Sequence, residues 1–140
     1  MEHATDRLRR YLEDELEECR NEDLTRRLEE LESLEREVEG ADGTGTLDVL
    51  GALANETRYT VVRALVAARE ELCVCELKPL VEVSESGLSH ACSELADVGL
   101  IEGRKDGRWK KYRATNSAIA IVTVLEGARA VDPKAGAGGQ

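Results

Sequence analysis

The chain has 140 residues, which is enough for one domain of ordinary size with its own core but not for a multidomain enzyme. Hydrophobic residues make up 41% of the chain and Phe is absent, so aliphatic side chains must fill the core, as suits small packed helices. The formal charge of −10, taken as a whole, argues against nucleic acid as a partner.

The charge is distributed unevenly along the chain. Residues 1–46 contain 16 acidic and 7 basic side chains, whereas residues 47–140 contain 13 and 12. Arg outnumbers Lys by 14 to 5 beside abundant Glu, a composition that resembles proteins of salt-loving archaea, so we expect a halophilic protein. No apolar run approaches the roughly 20 residues that span a bilayer, and the N-terminus has no apolar stretch typical of a signal peptide. We therefore expect a cytoplasmic protein with no membrane partner.

Residues 1–40 are predicted to form an acidic helical arm, because leucines recur every three to five positions among Glu and Arg. The pattern slips at Asn21–Asp23, where either two helices meet, with Asp23 as N-cap, or one long helix has an irregular seam. A narrow apolar stripe needs a partner surface, so we expect the arm to be a dimerisation element. The Gly/Thr-rich segment Ala41–Thr46 is the predicted boundary.

The next domain is predicted to span residues 47–130 and to begin with helices. The predicted helices are Leu47–Ala54, Asn55–Ala68 with Asn55 as N-cap, Leu72–Leu80, and Ser84–Val98. Ser84 or Ser86 is the expected N-cap of the fourth helix and Gly99 its stop, whereas Pro79 fits poorly in the third.

The hydrophobic period then changes from 3.6 to 2. Leu100–Glu102 and Trp109–Arg113 flank a turn centred on Asp106-Gly107, which predicts a β-hairpin. Residues 103–113 hold six basic side chains and one acidic side chain, so this hairpin is strongly basic. Asn116 is expected to cap a last helix, and residues 131–140 are predicted to be a disordered tail.

The order of helix, short turn, helix and basic hairpin is that of a winged helix-turn-helix. We therefore predict a mainly α fold with a small β-hairpin, preceded by the acidic arm. In such a fold the second helix enters the major groove of DNA and the hairpin, or wing, contacts the flanking backbone. Placement of the basic residues in the wing supports this interpretation, because phosphate contact requires positive charge.

Four segments resemble the ArsR/SmtB (arsenical-repressor) family of winged-helix transcription regulators. They are Leu50–Leu65 (LGALANETRYTVVRAL), Glu71–Leu77 (ELCVCEL), Leu88–Leu95 (LSHACSEL) and the wing Gly99–Tyr112. The resemblance covers about Leu47 to Glu126. It implies a homodimeric repressor that binds double-stranded operator DNA when free of metal and releases it when a metal or metalloid binds.

Cys73 and Cys75 are the candidate ligands for that ion. Thiolates select soft ions such as Zn(II), Cd(II), Pb(II) or As(III). Residues i and i+2 point to different sides of a regular helix, so both sulfurs can bind one ion only at a helix start or in a distorted turn, and a helix start also lowers a thiol pKa. By the resemblance, As(III) or Sb(III) is the expected inducer, and no cofactor is obligatory.

A third ligand is needed to complete an arsenic site. Arsenic-sensing relatives carry a third Cys where this chain has Lys78, and cadmium and lead sensors bring a Cys from an N-terminal arm, which makes Cys19 the possible substitute here. Cys92 is a less favoured candidate, because a thiol in a recognition helix is more often packed as a small hydrophobe. The zinc site of other members has no counterpart, because residues 118–129 contain neither Asp nor His.

The candidate DNA-binding residues fall in two groups. At the start of the recognition helix, donors and acceptors can reach base edges, and in the wing, basic side chains can contact phosphates. The first group is Ser84, Ser86, Ser89 and His90, and the second is Arg104, Lys105, Arg108, Lys110 and Lys111. Trp109 and Tyr112 are expected to anchor the wing on the core.

Two other functions remain open. The cysteines could be oxidised, which would make the protein a thiol-based redox-sensing regulator of the same fold. Alternatively, the winged domain could be a protein-interaction module that binds no DNA, as the overall negative charge favours. An enzyme is not expected, because the sequence contains no catalytic Ser/His/Asp or Cys/His pattern and no phosphate-binding glycine motif.

Overall fold

The structure is a computed structural model that describes residues 2–16, 20–40 and 43–130. Within these ranges the secondary-structure elements are α1 (Glu2–Glu15), α2 (Asn21–Gly40), α3 (Gly43–Leu53), α4 (Glu56–Ala68), β1 (Leu72–Cys73), α5 (Val74–Leu77), a 3₁₀ turn (Lys78–Leu80), α6 (Glu85–Asp97), β2 (Ile101–Asp106), β3 (Trp109–Ala114) and α7 (Asn116–Ala130). The chain divides into two compact units, residues 1–43 and 44–140. None of the described helices is long and apolar enough to cross a membrane.

The N-terminal unit contains two helices rather than one long helix. The backbone N–H of Arg20 donates to the Asp23 carboxylate at 2.9 Å, so Asp23 caps α2 from within its first turn, and its prediction as the preceding N-cap was wrong. Leu12 and Leu24 are buried, whereas Leu34 and Val38 in the second half of the apolar stripe are exposed. The stripe is therefore only partly covered by the two helices of this unit.

The C-terminal unit has an aliphatic core built on α4 and α6. Asn55 caps α4 as predicted, with its side chain accepting from the Arg58 N–H at 3.0 Å, and Ser84 caps α6. Gly99 follows α6 with a φ of +77°, as its predicted role as a helix stop requires. The buried core residues are Ala52, Leu53, Val61, Val62, Leu65, Leu77, Leu88, Cys92, Leu95, Leu100, Ile101, Tyr112, Ala118 and Val122.

The predicted third helix, Leu72–Leu80, was wrong at its first two residues. Leu72 and Cys73 form β1, which pairs antiparallel with β3, and only Val74–Leu77 is α-helical before the 3₁₀ turn that contains Pro79. The result is a three-stranded sheet in the order β1-β3-β2, where the sequence predicted a two-stranded hairpin. The edge of β3 offers backbone partners to this segment, and that tertiary pairing overrides the local helical pattern.

The ends of the wing and of α7 differ in detail from the prediction. Asp106 pairs with Trp109, so the two-residue loop is Gly107-Arg108, with Gly107 at a φ of +63° in its first position, as in a type II′ turn. Thr115 rather than Asn116 caps α7, because its hydroxyl accepts the Ala118 N–H at 3.3 Å.

The helix α3 begins at Gly43, so the Gly/Thr-rich segment is partly helical. The predicted tail, residues 131–140, lies outside the described residues.

Candidate DNA interface and thiol ligand site

The thiol segment, Leu72–Leu77, holds Cys73 and Cys75 at a helix start. Cys73 is the last residue of β1 and the N-cap of α5. Its Sγ accepts the backbone N–H of Cys75 at 3.4 Å, and its own N–H donates to the Glu76 carboxylate at 2.8 Å, which closes a capping box. The position agrees with the expectation that two thiols in this spacing can share an ion only where a helix begins.

The two cysteines differ in exposure. Cys73 is buried and Cys75 is exposed, and both are free thiols. The hydrogen bond with Cys73, then burial and the negative charge of Cys73 and Glu76, raise the pKa of the Cys75 thiol. This direction is opposite to the one expected for a helix start, because a neighbouring sulfur and a carboxylate oppose a second negative charge. A soft cation neutralises both sulfurs as it displaces their protons, so the donor chemistry fits a thiophilic ion.

Of the other two cysteines, only Cys92 lies within the described residues. Cys92 lies on α6 within the core, and burial raises the pKa of its thiol to about 11, which disfavours the thiolate that an ion requires. Cys19 lies outside the described residues. Among the described residues there is no group of three or more His, Cys, Asp or Glu side chains that could hold a metal ion. The described donor set is therefore the two sulfurs of Cys73 and Cys75.

The exposed face of α6 carries the predicted base-reading residues. Ser84 accepts the Gly87 N–H at 3.0 Å, so its hydroxyl is engaged in capping, and it lies 3.2 Å from the hydroxyl of Ser86. Ser89 and His90 are exposed one turn further on, and His90 Nε2 lies 3.1 Å from the Glu94 carboxylate. The opposite face of α6 is buried in the core, so the exposed polar face is held in a fixed direction.

Arg58 holds α6 in place, a role that the sequence analysis missed. Its Nη1 donates to Glu94 of α6 at 2.6 Å, and its Nε donates to the carbonyl of Ala52 at 2.7 Å near the end of α3. The side chain is largely covered. One guanidinium thus connects α3, α4 and α6, and no local pattern in the sequence relates Arg58 to Glu94.

The wing has two faces of different charge, because side chains alternate along each strand and cross-strand partners share a face. The ion-paired face carries both acids and bases. Arg104 binds Glu71 through two hydrogen bonds, Lys111 lies 3.0 Å from Asp106, and Arg113 lies 2.6 Å from Glu102. These pairs lower the pKa of Glu71 and of Asp106 and raise that of Lys111. The ion-paired face is Glu102, Arg104, Asp106, Lys111 and Arg113, together with Glu71.

The other face has basic residues without acidic partners. Lys105 and Lys110 lie directly opposite each other, and Arg108 in the loop lies over the Trp109 ring at 4.7 Å. In the described part of the chain none of these three has a carboxylate partner, although the Lys110 ammonium lies 5.5 Å from the centre of the Tyr112 ring. We refer to Lys105 and Lys110 as the cationic face; the loop residue Arg108 also lacks a carboxylate partner among the described residues, but it lies over Trp109, which the strand register places on the ion-paired face.

The two aromatic residues of the wing have different environments. Tyr112 is 6% exposed and belongs to the core, which confirms its prediction as an anchor. Trp109 is 46% exposed at the end of β3, so the same prediction for Trp109 was wrong. Tyr112 packs over Gly103, where an added Cβ would lie 2.6 Å from the ring atom Cε1. Gly103 is therefore needed for close packing, which the sequence analysis did not recognise.

The strand β1 joins the thiol segment to the wing. Leu72 pairs with Tyr112, and Cys73 pairs with Lys111. The candidate ligand Cys73 is therefore part of the same sheet as the basic residues of the wing. From sequence alone these two features were expected in separate elements, because Leu72 and Cys73 were predicted to be helical.

Comparisons with known proteins agree with this architecture. The chain is 48% identical over 126 residues to a protein of Halobacterium salinarum named as an arsenical resistance operon repressor, ArsR, and the match covers 90% of this chain and 98% of that protein. It is 34% identical over 74 residues to the cadmium resistance transcriptional regulatory protein CadC of Listeria innocua, which covers 53% of this chain and 60% of that protein. The chain matches no protein-family model.

A solved structure shares the fold. HlyU from Vibrio cholerae has 29% sequence identity and a TM-score of 0.55, and the match covers 64% of this chain and 94% of HlyU. The fold and the wing define a winged helix-turn-helix protein of the DNA-binding class. The chain belongs to the ArsR/SmtB family of transcription regulators, whose members are repressors of metal and metalloid resistance operons and not enzymes.

Proposed function

We propose that this protein is a homodimeric repressor that releases its operator DNA when As(III) or Sb(III) binds Cys73 and Cys75. The observation that carries the proposal is the placement of both thiols at the first turn of α5, with Cys73 also in the sheet of the wing. An ion bound by both sulfurs competes with the contact between the Cys73 sulfur and the Cys75 N–H. Cd(II), Pb(II) and Zn(II) are further candidates, as the similarity to CadC supports for cadmium.

We propose that DNA is bound by α6, by the cationic face of the wing and by Arg108 in its loop. Ser86, Ser89 and His90 face solvent on α6 and can reach base edges in the major groove. In the wing, the phosphate contacts come from the residues without acidic partners. They are Lys105, Arg108 and Lys110, whereas Arg104 and Lys111 serve first as partners of Glu71 and Asp106.

The homodimer is supported by exposed apolar side chains on two helices of the C-terminal unit. Leu47 and Leu50 on α3 and Val124 and Leu125 on α7 are exposed in the single chain. Leu47 and Leu50 are one turn apart on α3 and Val124 and Leu125 are adjacent on α7, and exposed apolar patches are typical of a protein interface. We propose that these helices and the acidic arm of residues 1–40 form the dimer, that residues 47–130 bind DNA, and that Cys19 supplies a third sulfur.

The test is a fluorescence-anisotropy titration of the reduced protein on labelled DNA from its own upstream promoter. As(III), Sb(III), Cd(II) and Zn(II) are added separately in the presence of reductant. We expect As(III) or Sb(III) to release the wild-type protein and to leave a Cys73→Ser/Cys75→Ser variant bound. Because a halophilic protein binds DNA at high salt, where little counterion release remains, a shallow salt dependence is also expected.

Cys92→Ala is the matched control, because it removes a thiol that lies in the core. This variant is expected to release DNA at the same As(III) concentration as the wild type. A Cys19→Ser variant that needs more As(III) would identify the third ligand. If no ion releases the DNA but peroxide does, and dithiothreitol reverses the effect, the protein senses oxidation instead. Failure to retain promoter DNA in any condition would favour an interaction module.

A further inference from the structure

We propose that Glu71 is a positioning residue that holds the wing against the thiol segment through Arg104. The consequence is that a ligand on Cys73 and Cys75 changes the position of the wing as well as that of α6. The ligand-dependent part rests on the proposed function, whereas the restraint on the wing does not.

The contact between the two residues is bidentate. Arg104 Nε donates to Glu71 Oε2 at 2.6 Å, and Arg104 Nη2 donates to Glu71 Oε1 at 2.7 Å. Both carboxylate oxygens are used, so the contact fixes an orientation as well as a distance. The Glu71 side chain is 29% exposed, which makes it the more enclosed partner.

The pair closes a ring of contacts between the wing and the thiol segment. Glu71 directly precedes β1, in which Cys73 pairs with Lys111 of β3. Lys111 is in turn the cross-strand partner of Arg104 on β2. The wing is therefore attached to the thiol segment twice, by the backbone of β1 and by the side chain of Glu71. Because β1 has only two residues, the second attachment adds to the resistance that the buried wing residues Tyr112 and Ile101 offer to rotation of the wing.

The ring contains the candidate ligand. Cys73 is both the last residue of β1 and the N-cap of α5. Its sulfur accepts a hydrogen bond from the Cys75 N–H, and its own N–H donates to the Glu76 carboxylate. A change in the first turn of α5 therefore displaces a residue that is bonded to β3. That displacement reaches β2 through its pairing with β3, and the contact between Glu71 and Arg104 adds a direct second link from the start of β1 to β2.

The first experiment measures the motion of the wing without any ligand or DNA. Trp109 is the sole Trp of the chain and lies half-exposed in the wing, so its time-resolved fluorescence anisotropy reports wing motion. Glu71→Gln and Arg104→Gln are each expected to increase the amplitude of nanosecond depolarisation about twofold. The double variant is expected to show no further increase, because both substitutions break the same contact.

Two matched controls distinguish the effect of losing this contact from the effect of removing one charge. Glu70→Gln removes the neighbouring carboxylate, and Arg113→Gln removes another arginine of the ion-paired face, whose partner is Glu102. Neither control is expected to change the depolarisation of Trp109, and all variants are expected to keep the wild-type circular dichroism. Equal depolarisation in Glu71→Gln and wild type, or an equal increase in Glu70→Gln, would overturn the positioning role.

The second experiment uses arsenite as the ligand. The measured quantity is the factor by which saturating arsenite raises the DNA dissociation constant. This factor is expected to be about two- to fivefold smaller in Glu71→Gln than in wild type, because an exposed ion pair contributes a free energy of that size. An unchanged factor would refute the link between ligand and wing. If wild-type protein does not release DNA with arsenite, while the Trp109 results are as expected, the proposed function fails and the positioning role of Glu71 stands.

Discussion

The two faces of the wing come from the same two strands but carry different electrostatic environments. On the ion-paired face, Arg104, Lys111 and Arg113 are each within 3.0 Å of a carboxylate. On the cationic face, Lys105 and Lys110 lie opposite each other with no carboxylate partner among the described residues. Basic residues that are equivalent by composition are therefore not equivalent as ligands for phosphate, because some are already neutralised within the protein.

The two faces also contribute differently to the stability of the hairpin in the DNA-free protein. Opposite charges paired across strands stabilise a hairpin, whereas like charges directly opposite each other destabilise it. The cationic face therefore gains most from a polyanion, which relieves the repulsion between Lys105 and Lys110. The ion-paired face gains less, because phosphate must compete with Glu71, Glu102 and Asp106.

The largest effect is expected from neutralising the cationic face. Lys105→Gln/Lys110→Gln should weaken promoter binding about 100-fold near ~0.1 M salt and make the shallow slope of log K against log salt shallower still, because phosphate contacts are lost. Anisotropy titrations at several salt concentrations measure both quantities. A similar loss in an Arg104→Gln/Lys111→Gln variant would show that the two faces do not differ in this way.

The packing beneath the cationic face is expected to be the next most sensitive feature. Gly103→Ala places a Cβ 2.6 Å from Tyr112 Cε1, so the ring must move and the free energy of unfolding should fall by about 1–3 kcal/mol. Urea denaturation measures the change. Gly127→Ala on α7 is the control, because its Cβ has no neighbour within 4 Å and Ala favours a helix. An equally stable Gly103→Ala variant would contradict the close packing.

Removing a whole ion pair is expected to have a small effect on DNA binding. Glu102→Gln/Arg113→Gln deletes one acid and one base that contact each other, so the net charge of the wing is unchanged. Promoter affinity should change less than about twofold, because exposed pairs contribute little and the cationic face is intact. A loss of tenfold or more in the same titration would place Arg113 on the DNA.

The smallest expected effect is a gain in stability. Lys105→Thr removes one of two like charges that lie opposite each other, so the Tm of the DNA-free protein should rise by about 1–3 °C at low salt. The gain should disappear near ~1 M salt, where exposed charges are screened. Differential scanning calorimetry at both salt concentrations measures it. A lower Tm would mean that Lys105 has a stabilising contact that outweighs the repulsion.

Several features of the fold were accessible from sequence, because short-range interactions determine them. Asn55 and Ser84 cap their helices with hydrogen bonds to residues three positions ahead, and such caps have recognisable side chains. The glycine-containing turn between Leu100 and Arg113 predicted the hairpin for the same reason. The Cys73 and Cys75 pair was identified by residue type and spacing, and its place at a helix start followed from helix geometry.

Other features depended on partners far along the chain. The residues of β1 read as helix locally, and only the edge of β3 makes them a strand. Glu71 and Arg104 are 33 positions apart, and Arg58 and Glu94 are 36 positions apart, so no local pattern relates them. Trp109 and Tyr112 are both aromatic residues of β3, but only Tyr112 reaches the core.

The caps of α4 and α6, the hairpin, the basic character of the wing and the thiol pair were predictable from sequence, because each depends on residues close together in the chain. Contacts between distant segments determine which basic residues are neutralised, and they make Leu72 and Cys73, the first two residues of the thiol segment, a strand of the wing sheet. Strand pairing and long-range ion pairs form only when distant segments pack together, and the local sequence pattern of one segment does not identify the segment with which it pairs.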